Sequence, residues 1–129
     1  MRRSVTIDML SACVGREVGR SDWLLIEQSM IDSFAEVTGD KQFIHVDVDA
    51  AARTPFGSTV AHGFLVLALL SQSANQALPQ LAEQTMALNC GFDRVRFVGP
   101  VRVGRRIRGQ HCRAAYSTRY VGTIPLGTI

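Results

Sequence analysis

The longest apolar stretch of the chain covers residues 64–70 without interruption, and polar residues follow it from Ser71 onward. Gly63 and Pro79 flank the whole segment, and both residue types commonly stand at helix boundaries. A helix that is apolar on every side must be enclosed by other elements. The pattern therefore predicts a long, buried central helix over residues 63–78.

A second, amphipathic helix is predicted over residues 27–37. Its apolar face is formed by Met30, Ile31, Phe34 and Val37. Gly39 suits the end of this helix, because glycine readily adopts the left-handed conformation that turns the chain sharply. A short helix is predicted next, over residues 47–53, with Asp47 or Asp49 near its first turn and a Thr-Pro-Phe-Gly segment as its end.

Four segments have the character of strands, namely residues 22–26, 85–91, 94–98 and 101–109. In the last two, arginine alternates with apolar residues, which is the period of a half-buried antiparallel strand. The arginines are Arg94, Arg96, Arg102, Arg106 and Arg108, and the apolar residues are Val95, Phe97, Val101, Val103 and Ile107. A buried helix followed by antiparallel strands predicts an α+β architecture in which the sheet wraps around the helix.

The length of 129 residues suits one domain over residues 1–129. The three cysteines, Cys13, Cys90 and Cys112, are odd in number and lack CxxC spacing, so we expect free thiols in a reducing, cytoplasmic compartment. The basic start of the chain is followed by polar interruptions that a signal peptide lacks. Residues 64–70 are also far shorter than the roughly 18 residues of a membrane span. We therefore expect no membrane association.

The formal net charge is +3, and eight of the 13 arginines lie between Arg94 and Arg119. Two interpretations are open for this basic region: a solvated strand face, or a surface that meets a polyanionic ligand such as a nucleotide phosphate. The sequence contains no aromatic-interleaved RNA motif, zinc finger or helix-turn-helix pattern. We therefore do not expect nucleic acid as a partner.

The candidate chemistry lies in two short motifs. Residues 38–45 read Thr-Gly-Asp-Lys-Gln-Phe-Ile-His, which puts Asp40 five residues before His45, and an acid and an imidazole so placed can share one water. Residues 60–64 read Val-Ala-His-Gly-Phe, so Gly63 opens the predicted central helix with amides free to bind an oxyanion. Together the motifs indicate an enzyme that acts on an activated carbonyl.

The two motifs and a few residues around them carry a family resemblance. The full set is Phe34, Thr38, Gly39, Asp40, His45, Ala51, Phe56, Gly57 and the segment from Ala61 to Leu65. Over residues 18–109 the chain resembles the MaoC-like, (R)-specific enoyl-CoA hydratases of the hot-dog superfamily. The resemblance implies a hot-dog fold and a catalytic pair, Asp40 and His45, that acts on water. It also implies that the Gly63 amide binds the thioester oxygen, and that Ser71 assists the pair.

The sequence departs from the family pattern in two places. Gln42 and Phe43 stand where the commonest pattern has Asn-Pro, which is similar to the branch related to nodulation protein N. The tail, residues 110–129, has weak strand alternation and is atypical of the family, whose members continue for further strands. A truncation and an altered reading frame are both open as explanations, and either would affect stability, dimerisation and activity.

Several other residues are candidates for the site. Phe43, Phe56 and Phe64 either line an acyl pocket or belong to the core. For His62, a hydrogen bond to a loop is favoured over a role as a second base. A contact of His62 with substrate is also open. Asp40, His45, Asp47 and Asp49 are also metal-ligand types, but no HExxH spacing accompanies them and we expect no metal. No dinucleotide or P-loop motif is present, so coenzyme A is expected only as part of the substrate, without a separate cofactor.

The leading hypothesis is a hydro-lyase that adds water to a trans-2-enoyl thioester, carried by CoA or an acyl-carrier protein, to give a (3R)-hydroxyacyl thioester. We expect a homodimer that serves fatty-acid metabolism. Two alternatives are open: a non-catalytic or partner-dependent hot-dog subunit, and an acyl-CoA thioesterase on the same fold.

Overall fold

A computed structural model describes residues 4–82 and 84–113. Most of the predicted atypical tail, residues 114–129, lies outside the described residues. The chain forms two compact units. The first unit contains the described parts of Met1–Asp22, Ser71–Arg96 and Gly109–Ile129, and the second contains Trp23–Leu70 and Phe97–Arg108. That residues 1–129 form one domain stays a prediction.

Helices and short strands alternate along the described residues. In chain order they are β1 (Ser4–Val5), α1 (Ile7–Ser11), β2 (Glu17–Arg20), β3 (Leu24–Leu25), α2 (Gln28–Thr38), α3 (Phe43–Val46), α4 (Val48–Ala52), α5 (Gly63–Ala68), α6 (Leu70–Ala77), β4 (Gln80–Leu81), β5 (Arg106–Ile107) and β6 (Gln110–Cys112). The architecture is thus α+β, as predicted.

The first unit is built on two pairs of strands. Strand β1 pairs with β4 in parallel, and β2 pairs with β6 in antiparallel orientation. Helix α1 begins after Thr6, whose hydroxyl accepts a hydrogen bond from the Met9 amide at 3.3 Å and so satisfies one of the free amides of the first turn. The buried residues Val5, Leu10 and Leu81 form the core of this unit.

Strand β6 changes the interpretation of residues 110–113. Strand alternation is weak in this segment, yet Gln110, His111 and Cys112 pair with Arg20, Gly19 and Glu17 of β2.

Cys13 and Cys112 are free thiols, as the sequence predicts.

The core of the second unit lies between α2, α5 and an irregular extended segment. It contains Ile26, Ile31, Ala61 and Leu65, all buried. The amide of Ala61 donates to the Val101 carbonyl at 2.7 Å, and the Val103 amide donates to Thr59 at 3.0 Å. These bonds hold residues 59–61 in an extended conformation beside residues 101–103.

Two of the predicted helices are confirmed closely. Helix α2 spans Gln28–Thr38, and Gly39 follows it with a φ of 78°, in the left-handed conformation that was expected. Helix α4 spans Val48–Ala52, and Asp47 caps it, because the Asp47 carboxylate accepts a hydrogen bond from the Ala50 amide at 2.9 Å. The choice left open between Asp47 and Asp49 therefore falls on Asp47.

The predicted central helix is wrong in two respects. It is interrupted at Leu69, which separates α5 from α6, although the Leu69 amide still donates to the Leu65 carbonyl at 3.0 Å. No glycine or proline marks this interruption in the sequence. Enclosure is also incomplete: Leu65 and Leu70 are buried, whereas Phe64 is 68% exposed. An apolar run therefore did not require burial on every side.

The predicted strands are only partly present among the described residues. Strand β3 lies inside residues 22–26 and pairs with β5, which lies inside residues 101–109. Residues 85–91 and 94–98 are not strands, so those two predictions are wrong. The alternation has a physical meaning where pairing exists, since Val101, Val103 and Ile107 pack on the core. Where pairing is absent, apolar residues such as Val98 are exposed.

Arg108, which directly follows β5, makes a cation–π contact. The guanidinium of Arg108 lies 4.4 Å from the ring centroid of Trp23, a cation–π distance. None of the helices in the described part of the chain is long and apolar enough to span a membrane.

Candidate active site

Asp40 follows directly after the rigid end of α2. The amide of Gly39 donates to the Ala35 carbonyl at 2.8 Å, and the left-handed turn at Gly39 then redirects the chain. The Asp40 carboxylate accepts a hydrogen bond from the Gln42 amide at 3.4 Å. The Asp40 side chain is exposed, so its carboxylate can reach solvent and a bound molecule.

His45 lies on α3, a short helix that the sequence did not predict. Its side chain is 7% exposed, and Nδ1 lies 2.7 Å from the carbonyl oxygen of Val60. Because a carbonyl can only accept, Nδ1 carries the proton, and in the neutral ring Nε2 keeps its lone pair. No other described residue forms a hydrogen bond with Nε2. The nitrogen left open on His45 is therefore an acceptor.

His62 connects both of these residues. Its Nε2–H donates to the main-chain carbonyl of Asp40 at 2.9 Å, and its ring stacks on His45 with centroids 3.8 Å apart and 24° between planes. The ring of Phe34 also packs against the His62 ring, with centroids 4.9 Å apart. His62 is 2% exposed. It thus makes the loop hydrogen bond that one interpretation expected, and a substrate contact stays a prediction.

The three polar side chains converge on one point. A carboxylate oxygen of Asp40 and one ring nitrogen each of His45 and His62 all lie within 4.8 Å of one another. A single water, with hydrogen bonds of about 2.8 Å, can bridge two atoms at such a separation. The arrangement can therefore hold a water between the carboxylate and an imidazole.

The same cluster has the residue types of a metal site, but its ring geometry argues against one. A metal bound to imidazole lies close to the plane of the ring, along the nitrogen lone pair. The rings of His45 and His62 are stacked nearly parallel at 3.8 Å, so no point between them lies near both planes. The absence of a metal stays an expectation, and this stacking supports it.

Gly63 begins α5 and follows His62, which occupies the N-cap position. A methyl group added at Gly63 would meet the ring of Phe97 at 3.2 Å, so a larger residue would crowd this position. Helix α5 ends after six residues. An amide in the first turn has no acceptor within its own helix, and binding of an oxyanion by the Gly63 amide stays a prediction.

The three phenylalanines predicted to line an acyl pocket differ in their surroundings. Phe43 is 48% and Phe64 is 68% exposed, while Phe56 is half-buried. Phe64 contacts Phe97 edge to face, with centroids 5.9 Å apart. Phe43 and Phe64 are therefore not core residues within the second unit, and their contact with an acyl chain stays a prediction.

Ser71 belongs to the first unit, on α6. It is exposed, whereas the sequence predicted it inside a buried helix. Its hydroxyl accepts a long hydrogen bond of 3.5 Å from the Asn89 side chain. Its assistance to the catalytic pair stays a prediction.

Two residues near His45 were missed by the sequence analysis. Gln28, at the start of α2, donates to the His45 carbonyl at 2.8 Å and to Asp32 at 2.9 Å. The hydroxyl of Thr59 donates to the side-chain oxygen of Gln28. These contacts join positions 17 and 31 residues apart, so no local pattern could reveal them.

The first unit contains a histidine of a different kind. His111 on β6 is 2% exposed, and its Nε2 lies 2.8 Å from the Ser73 hydroxyl. Burial lowers the pKa of His111 below its ordinary value of 6.5, because desolvation disfavours the charged ring. No sequence motif predicted a role for this residue.

A protein-family model described as MaoC like domain matches residues 10–119. The chain therefore belongs to the MaoC-like domain family. The match includes residues 18–109, over which the motifs carry the resemblance, and extends beyond them at both ends.

Nodulation protein N of Rhizobium meliloti is 52% identical to the chain over 107 residues, which cover 82% of the chain and 66% of that protein. The 3-hydroxyacyl-thioester dehydratase Z of Mycobacterium tuberculosis is 45% identical over 108 residues, covering 84% of the chain and 71% of that protein. The predicted likeness to the nodulation protein N branch is confirmed.

Among solved structures, the unliganded R-hydratase PhaJ1 from Pseudomonas aeruginosa aligns with a TM-score of 0.64 and 28% identity. The alignment covers 81% of the chain and 63% of that structure. Such neighbours confirm the predicted hot-dog fold. The chain spans about two thirds of the length of several relatives it matches.

Proposed function

We propose that this protein hydrates a trans-2-enoyl thioester to a (3R)-hydroxyacyl thioester, and catalyses the reverse dehydration. The observation that carries the proposal is the convergence of the Asp40 carboxylate with a His45 ring whose Nδ1 is bound to a carbonyl. The likeness to proteins named as a dehydratase and a hydratase supports the same reaction. The (R) stereochemistry follows the resemblance.

In the proposed mechanism, one water binds between Asp40 and Nε2 of His45. Nε2 accepts a proton from the water while the hydroxyl adds to the β carbon, and the Asp40 carboxylate orients the water through a second hydrogen bond. The His45 imidazolium then returns a proton to the α carbon. Hydroxyl and proton together make up the water added across the double bond.

Negative charge develops on the thioester oxygen during this addition, and the amide of Gly63 is proposed to bind it. Gly63 is separated by one peptide bond from His62, which stacks on His45. His62 also donates to the Asp40 carbonyl. This residue therefore couples the position of the proposed oxyanion donor to the two residues that handle water, a geometry on which the rate should depend steeply.

The test uses purified protein and crotonyl-CoA, and follows the loss of enoyl absorbance. The wild-type protein is expected to hydrate the substrate, and Asp40→Asn to lower kcat by about 10²- to 10⁴-fold. Glu36→Gln is a matched control, because it neutralises an exposed carboxylate on α2 whose bond is to Lys41. An inactive wild-type protein, or equal activity in both variants, would contradict the proposal.

Product analysis tests the thioesterase alternative in the same reaction. A hydroxyacyl thioester with no released thiol supports hydration, whereas free CoA would indicate attack at the carbonyl carbon.

Light scattering on the same sample tests the homodimer and the partner-dependent alternative. The preference between CoA and acyl-carrier protein is testable by supplying crotonyl groups on each carrier.

A further inference from the structure

Gln28 is a fully bonded amide at the first turn of α2. Its Nε2 donates to the Asp32 carboxylate at 2.9 Å and to the His45 carbonyl at 2.8 Å. Its Oε1 accepts from the Thr59 hydroxyl. The orientation of the amide follows from these partners, because a carboxylate and a carbonyl can only accept hydrogen bonds. Exchanging the oxygen and nitrogen would break both bonds that Nε2 donates.

Thr59 is 1% exposed and precedes the residue that binds the His45 ring. The Val60 carbonyl accepts from His45 Nδ1, and the Val60 amide donates to the Ile44 carbonyl at 3.0 Å. Thr59 is also anchored from the other side, since its carbonyl accepts from the Val103 amide at 3.0 Å. Gln28 therefore bridges the main chain of His45 and the strand-like segment that holds the His45 ring.

We propose that Gln28 and Thr59 are positioning residues that fix His45 in the Nδ1–H tautomer with Nε2 free for water. The bridge fixes the separation between the backbone of His45 and the peptide of Val60. These are the segments that carry the two ends of the hydrogen bond from His45 Nδ1 to the Val60 carbonyl. If either end moves, the ring can rotate or exchange its proton, and Nε2 no longer presents a lone pair. The catalytic part of this inference rests on the proposed function.

Tautomers give a readout that does not depend on activity. The chain contains three histidines, and ¹⁵N NMR of imidazole couplings distinguishes a ring protonated at Nδ1 from one protonated at Nε2. At a pH where the rings are neutral, His45 is expected as Nδ1–H. His62 is expected as Nε2–H, because it donates from Nε2 to Asp40. His62 thus serves as an internal reference, and His45→Gln identifies the His45 signals.

Thr59→Val removes the hydroxyl while keeping the shape of the side chain. The expected result is loss of the pure Nδ1–H pattern of His45, a fall in kcat of about 10- to 100-fold, and an unchanged KM for crotonyl-CoA. Thr59→Ser restores the hydroxyl and is expected to recover both the tautomer and kcat. A merely structural role for Thr59 would not move the tautomer of His45.

Gln28→Glu provides a second variant in case Thr59→Val folds poorly. A carboxylate at this position still accepts from Thr59 but cannot donate to the His45 carbonyl, so the same change in tautomer is expected. Gln76→Leu, at an exposed position of α6, controls for the loss of a glutamine. Its tautomers and kcat are expected to match the wild type.

Retention of the pure Nδ1–H pattern and of kcat in Thr59→Val and Gln28→Glu would overturn the inference. An inactive wild-type protein would instead contradict the proposed function, and the NMR measurement would still decide whether Gln28 and Thr59 fix the tautomer.

Discussion

The two units each contain a buried histidine with one bonded ring nitrogen. In the second unit, His45 is 7% exposed and bonds through Nδ1 to the Val60 carbonyl at 2.7 Å. In the first unit, His111 is 2% exposed and bonds through Nε2 to the Ser73 hydroxyl at 2.8 Å. By burial and by one hydrogen bond, the two residues are closely alike.

The polar groups near the two rings differ. The Asp40 carboxylate lies within 4.8 Å of a ring nitrogen of His45. The Nδ1 of His111 is buried and has no hydrogen-bond partner in the described part of the chain. Burial and one partner therefore suffice to build a histidine into a fold, whereas acid–base chemistry also needs a second polar group near an open nitrogen.

The same substitution at both histidines tests whether their roles differ. His45→Gln is expected to lower kcat by about 10²- to 10⁴-fold, because it removes the proposed base. His111→Gln is expected to lower the free energy of unfolding and to leave kcat near the wild-type value. Crotonyl-CoA hydration and urea unfolding of both variants measure the two effects. Similar kcat losses in both would remove the distinction.

A second prediction compares the packing around one glycine in each unit. A methyl group at Gly109 would overlap the Ser73 hydroxyl and lie 2.9 Å from Nε2 of His111, whereas one at Gly63 would meet the Phe97 ring at 3.2 Å. Phe97 is 49% exposed and can move aside. Gly109→Ala is expected to cost up to about 3 kcal/mol of stability, and Gly63→Ala clearly less. Urea unfolding of the two variants measures the difference, and equal losses would contradict the packing argument.

Ser73→Ala isolates the hydrogen bond of His111. The substitution leaves Nε2 buried without its partner, so the free energy of unfolding is expected to fall by about 1–3 kcal/mol. Ser33→Ala is the control, because it removes an exposed hydroxyl that bonds to the Ser29 carbonyl at 2.8 Å. The control is expected to stay within about 0.5 kcal/mol of the wild type. A loss of equal size in both variants would show that burial of the His111 contact contributes nothing.

The smallest expected effect is a pH dependence of stability. Burial lowers the pKa of His111 in the folded protein below 6.5, so the unfolded chain takes up its proton first as the pH falls. The contribution is fully present above the unfolded pKa and is lost as the pH falls through the folded pKa, with a slope of at most about 1.4 kcal/mol per pH unit. Urea unfolding between pH 8 and pH 5 should give a flatter slope for His111→Gln. An unchanged slope would rule out this assignment.

The local signals in the sequence predicted local structure well. The spacing of apolar residues identified α2, and Gly39 was recognised as its end. Asp47 was one of two residues expected near the start of α4, and the structure shows that it is the cap. Those features depend on contacts three or four residues apart, which sequence patterns record. The motif residues Asp40 and His45 were singled out for the same reason, and the structure brings their side chains together.

Long-range pairing was predicted poorly. Residues 94–98 alternate as a strand would but pair with no strand in the described residues. In contrast, His111 lies in β6, although the alternation in that segment is weak. A strand needs a partner for its hydrogen bonds, and the partner of β6 is roughly 90 residues away in β2, so the alternation within one segment cannot decide its pairing.

The family, the α+β class and the two short motifs are predictable from the sequence, because they depend on residue type and near-neighbour spacing. The open nitrogen of His45 became apparent from the fold, through the bond to the Val60 carbonyl, as did the contacts of Gln28 and Thr59 that hold the ring. A tautomer is set by hydrogen-bond partners, and here those partners come from segments distant in the chain.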